Sequence, residues 1–127
     1  MKRALLPPLA ALAVILAFSL WTGSTIAADS QRWQQQLEQA SALARQENWA
    51  AAAETLSGSY RDWSRRQEKL HILLRHDVID DAEAMYRRAM AFAATREPNE
   101  FRAEIADLRS QLRLLAELEE FSLKNVL

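Results

Sequence analysis

The 127-residue chain has room for one domain, and its balance of 50% apolar and 26% charged residues is that of a globular protein. Only two Gly and three Pro are available for tight turns, and Ala, Leu, Glu, Gln and Arg, which lose little rotamer freedom in a helix, dominate. This excludes a many-stranded fold and points to an all-α one. A formal net charge of −1 provides no field to gather nucleic acid, and the absence of Cys excludes a disulfide framework, a zinc-thiolate site and a thiol nucleophile.

Lys2 and Arg3 precede an uncharged run from Ala4 to Ala28, with its apolar heart between Leu9 and Trp21. As a helix rising about 1.5 Å per residue the run reaches roughly 37 Å, against a hydrocarbon core of about 30 Å. The expectation is a transmembrane helix through residues 4–28, N-in and C-out, with Trp21 at the outer interface. The same residues also fit a cleaved signal peptide, with small, polar Thr22-Gly23-Ser24-Thr25 before a cleavage site near Ala27 or Ala28 and secretion as the result. Either way, residues 1–28 are the anchor or signal segment, and residues 29–127 form an extracytoplasmic helical domain. Fourteen basic and seventeen acidic residues give that domain a net charge of about −3.

Asp29 or Ser30 is placed to cap a first helix with Trp33, Leu37, Ala40 and Leu43 or Ala44 on one face, ending near Gln46. Glu47-Asn48 is a polar break with Asn48 as the next cap. From there Trp49, Ala53, Leu56, Tyr60, Trp63, Gln67, Leu70 and Leu74 step by fours and threes, the longest regular stripe in the chain. Gly58, between Ser57 and Ser59, costs about 1 kcal/mol of helix propensity and marks a kink or short break. Asp77 and Asp80 suit the start of a third helix with Val78 or Ile79, Ala82, Met85, Tyr86, Ala89 and Phe92 or Ala93 inward. Glu97-Pro98-Asn99 ends it and begins a fourth with Phe101, Ile105, Leu108, Leu112, Leu115 and Leu118 inward, while the tail from Phe121 to Leu127 folds back on the others. Short connections make neighbours antiparallel. The expected architecture is an N-terminal transmembrane helix followed by an antiparallel four-helix bundle, with two stacked tetratricopeptide-like α-hairpins as the alternative.

The basic start and the apolar segment ending Phe18-Ser19-Leu20-Trp21, then Glu47-Asn48-Trp49 with Ala53, Trp63, His76-Asp77-Val78-Ile79-Asp80 and the closing Ser122-Leu123-Lys124-Asn125-Val126-Leu127 resemble the bacterial domain of unknown function family number 4363. The resemblance runs across nearly the whole chain, although no single motif in it is chemically diagnostic. It implies a small protein of Firmicutes with an N-terminal membrane segment and a helical remainder, no assigned activity, and a neighbouring polytopic membrane protein as a partner.

The ligand-type residues His71, His76, Asp77, Asp80, Asp81 and Glu83 lie close in sequence. His76 and Asp80 are four apart, the spacing of helical metal sites, but acids before a helix are also explained by capping and by the helix dipole. Trp33, Trp49 and Trp63 fit an interhelical core or the rim of a groove. Arg65-Arg66 with Lys69, and Arg87-Arg88, are interspersed with acids and fit a solvated face or a lipid contact. No phosphate loop, nucleophile elbow or cofactor motif occurs. The sequence therefore assigns no catalytic, cofactor or metal residues and predicts no enzyme. The expected function is a membrane-tethered interaction module docking on another envelope or polytopic membrane protein. A metal-dependent sensor or enzyme centred on His76, Asp77 and Asp80, and a structural protein that self-associates through the Trp49–Leu74 stripe, remain alternatives. Oligomeric state is left open.

Overall fold

Four helices account for the residues that the computed structural model describes, 2–70 and 76–126: α1 (Lys2–Arg45), α2 (Trp49–Leu70), α3 (His76–Ala94) and α4 (Pro98–Val126). Side chains are described at residues 8–18, 20–21, 27–67 and 77–121. The all-α reading holds, with no strand among the described residues. Helix α1 packs on α2 and α4, and α3 packs on the same two, so the helices close an antiparallel ring. Stacked hairpins would carry α4 away from α1. The direct α1–α4 contact selects the bundle.

The core follows the 3.6-residue period on all four helices. Trp33, Leu37, Ala40 and Ala44 of α1 meet Ala52, Leu56 and Trp63 of α2, Ile79, Ala82, Tyr86, Ala89 and Ala93 of α3, and Phe101, Ile105, Leu108, Leu112 and Leu115 of α4. Trp33 and Trp63 are buried, and half-buried Trp49 lies edge-on to Phe101 at 5.5 Å. All three indoles therefore belong to interhelical packing. On α2 the innermost positions are Ala52 and Ser59, with Ala53 and Tyr60 turned partly outward. Ser59 fits because its hydroxyl shares a buried 2.9 Å hydrogen bond with that of Tyr86.

The α1–α2 and α3–α4 connections are built alike. In the first, Asn48 N–H donates to the Leu43 carbonyl and Glu47 N–H to that of Ala44; in the second, Glu97 N–H donates to Phe92 and Arg96 N–H to Ala93. Both are Schellman closures whose left-handed residue is not glycine, with φ 62° at Glu47 and 54° at Arg96. Each closure leads directly into the next cap. The Asn48 carbonyl accepts from Ala52 N–H, and its side chain lies 3.4 Å from Ala51 N.

Several expectations need correcting. Helix α1 does not begin at Asp29: it passes unbroken through Thr22–Ala28, and Asp29 and Ser30 are buried mid-helix, where no free N–H remains for them to cap. Helix α2 is also continuous through Gly58, and α4 runs on to Val126 instead of turning back at Phe121. The predicted single-pass membrane placement, with the bilayer contact through residues 4–28, is overturned: among the described residues no helix is long and apolar enough to cross a membrane. Trp21 is exposed and tilted against Phe18 at 6.2 Å, and Ala27 and Ala28 sit inside α1.

Candidate functional site

Of the ligand-type cluster that stood out in the sequence, the side chains described are its four acids. His71 and the His76 side chain lie outside the described residues, while Asp77, Asp80 and Asp81 are exposed along the start of α3. Glu83 is engaged elsewhere: it accepts hydrogen bonds from the Tyr60 hydroxyl at 2.9 Å and from Arg87 at 3.0 Å. Those two donors hold its carboxyl below the usual carboxylate range, as expected of a structural acceptor. Among the described residues no group of three or more His, Cys, Asp or Glu is placed to hold a metal. The described part of the Trp49–Leu74 stripe, up to Gln67, is engaged within its own chain, because Leu56 and Trp63 lie in the core and Gln67 is buried, while the Leu70 side chain and Leu74 lie outside the described residues. Arg87 and Arg88 pair with Glu83 and Glu104.

A charged collar, absent from the sequence reading, lies across α1 and α2 at the end of the bundle where α1 leaves it. Arg32 is its hub. It reaches Asp29 one turn earlier at 2.9 Å and contacts Asp62 Oδ2 on α2 through Nη2 at 2.7 Å and Nε at 2.8 Å. Trp33 Nε1 donates to the same Asp62 oxygen at 3.2 Å. Arg66 Nε lies 2.9 Å from Asp29 Oδ2, close enough for an ion pair but too poorly aligned for a hydrogen bond. Two acids and two arginines thus tie α1 to α2 at consecutive turns. From α4, Glu119 faces the same cluster. Burial pushes its carboxyl up to about 7, the Arg66 charge opposes the shift and the Asp29 charge reinforces it.

Beyond this collar α1 projects as an arm. Leu9, Leu12, Val14, Ile15, Leu16, Phe18, Leu20 and Trp21 are each between 45% and 75% exposed. At about 100° per residue these positions point around the whole circumference, so the arm has no polar face to present to water. Single exposed apolar residues are ordinary, but a contiguous helical turn-on-turn surface of this kind is not. The collar fixes the base of the arm, so its direction is set by the bundle.

Residues 20–126 match the sequence profile of the family described as Domain of unknown function (DUF4363). The chain belongs to that family. The match covers the whole DUF4363 bundle, collar included, and starts within the arm at Leu20. No curated protein and no solved structure matches the sequence. Within this DUF4363 chain, then, the collar and the arm are the two features in which polar and apolar surface depart from what a helical bundle requires. Sequence reasoning noticed the apolar run but read it as lipid-facing. It missed the collar because the partners Asp29 and Arg66, or Arg32 and Asp62, are thirty or more residues apart.

Proposed function

We propose that the chain is a non-enzymatic interaction module that docks on another protein through the arm of α1. The supporting observation is the arm itself: its described side chains, at residues 8–18, 20 and 21, are all apolar and all exposed. A helix of this character is at home only when surrounded, so the fitting partner is one whose helices or groove enclose it. Enclosure removes on the order of 800 Å² of apolar surface, the contribution of one side to a standard interface. At about 25 cal/mol per Å² the gross gain is roughly 20 kcal/mol, large enough to leave a stable complex after the cost of association. The bundle serves as a rigid base, and its collar aims the arm.

Site-specific photo-crosslinking tests this in the host cell. A photoreactive residue at Leu16 of the full chain should give one discrete adduct with another protein, and Leu12→Glu should abolish it. The same probe at exposed Asp107 on the bundle should give none. Adducts with lipid alone, or equal labelling from both positions, would overturn the reading.

A further inference from the structure

On the opposite flank from the collar's α2 contacts, a groove of about 160 Å³ runs between α1 and α4. Glu38, Ser41 and Arg45 line it from α1, and Arg102, Ala106 and Arg109 from α4. Each set steps by threes and fours, so it occupies one face of its helix. Ser41 and Ala106 are small and leave the middle open, while the arginines stand at the two ends. The volume corresponds to about five waters at roughly 30 Å³ each, enough for a tetrahedral oxyanion.

The groove gathers three arginines around a single acid. Elsewhere in the described structure, Arg32, Arg66, Arg87 and Arg88 each reach a carboxylate, and Arg61, Arg65, Arg96 and Arg113 do not. Among the described residues Arg45, Arg102 and Arg109 form no ion pair, and Arg109 Nε is buried with no acceptor. Three guanidinium groups face a single lining acid, Glu38, so the local charge is positive on a chain whose net charge is −1. Guanidinium forks match tetrahedral oxyanions with paired, charge-assisted hydrogen bonds, and the Ser41 hydroxyl adds a donor at the centre. We propose that this groove binds a phosphate group, either as free phosphate or as a small phosphomonoester. The site lies on the bundle, apart from the arm, and so stands or falls independently of the docking function.

The test follows arginine Nε–H signals of the full-length protein by NMR during titration with inorganic phosphate, then with glycerol 3-phosphate, at constant ionic strength. Saturable shifts confined to Arg45, Arg102 and Arg109 are expected. Tighter saturation by glycerol 3-phosphate assigns the ester, and equal saturation assigns the free anion. Arg102→Gln and Arg109→Gln should each weaken binding about tenfold, corresponding to about 1.4 kcal/mol. Arg61→Gln, exposed on α2, should leave it unchanged. Shifts that track ionic strength without saturating, or an Arg61→Gln variant that weakens binding as much as the groove variants do, would overturn the proposal.

Discussion

Replacing Glu119 with Gln should stabilise the protein at neutral and alkaline pH and remove part of its pH dependence. The folded state holds this carboxyl up to about 7, against an ordinary value of 4.5, because burial beside Asp29 outweighs the attraction of Arg66. Between those two values the folded chain binds a proton that the unfolded chain has released. The Glu119 contribution is therefore intact below about pH 4.5 and lost as pH rises to about 7, above which the ionised carboxylate remains a constant burden. At 1.36 kcal/mol per pKa unit the ceiling is about 3 kcal/mol, and partial exposure of the side chain reduces this to about 1–2 kcal/mol. Gln keeps the shape and hydrogen-bonding capacity but cannot ionise. Urea unfolding of both proteins at pH 4.5, 6 and 8 measures the effect: the two should nearly coincide at pH 4.5, with the variant ahead by about 1–2 kcal/mol at pH 8. A difference that does not change with pH, or one in which Glu119→Gln is the less stable at pH 8, would refute the assignment of a costly buried carboxylate.

Three further outcomes follow from particular atoms. A Cβ added at Gly58 meets nothing within 4 Å, so Gly58→Ala should stabilise α2 by about 1 kcal/mol and raise the melting temperature by roughly 4–8 °C; a fall in melting temperature would mean that the glycine has a role the geometry does not reveal. Glu47→Gly and Arg96→Gly should each release left-handed strain at the two helix closures, gaining about 0.5–1 kcal/mol by chemical denaturation, and additively, since the two turns belong to different helix pairs. Tyr86→Phe should cost about 1–2 kcal/mol in the same assay, because it leaves the fully buried Ser59 hydroxyl without its partner, whereas Ser59→Ala combined with Tyr86→Phe should recover part of the loss.

How far the sequence could be read differs from helix to helix. Helix α4 was legible almost residue by residue. From Phe101 to Leu115 every inward position carries a large apolar side chain and every outward one except Leu114 a polar or small group, so periodicity and size agree. On α2 they disagree. Trp49, Ala53 and Tyr60 extend the stripe of bulk, but the seam between helices is narrow enough there to take Ala52 and Ser59, and Tyr60 is drawn outward to Glu83. Reading by size alone therefore rotated that face by about one residue. A different error shaped the view of α1. Thr22-Gly23-Ser24-Thr25 has low intrinsic helix propensity and fits the end of a signal peptide, and Asp29 or Ser30 reads as the cap of a new helix, yet a few unfavourable residues cannot end a helix with strong nuclei on both sides, and α1 runs through them. That continuity is what makes the apolar run a mechanical extension of the bundle. The collar was the least legible feature, since each ion pair depends on the register in which α1 lies against α2, and helical periodicity specifies a face without specifying a register. One physical link joins the two features. A charged collar placed where an apolar arm departs confines the apolar surface to the arm, because sliding α1 along the bundle by one turn would pull Asp29 and Arg32 away from Arg66 and Asp62. Asp62→Leu should therefore do more than lower stability: it should relax the register of α1, which predicts altered arm exposure, measurable as a changed proteolytic cleavage pattern between Leu9 and Trp21, while α3 and α4 keep theirs. An unchanged arm in that variant would show that the apolar packing from Trp33 to Ala44 sets the register without help from the collar.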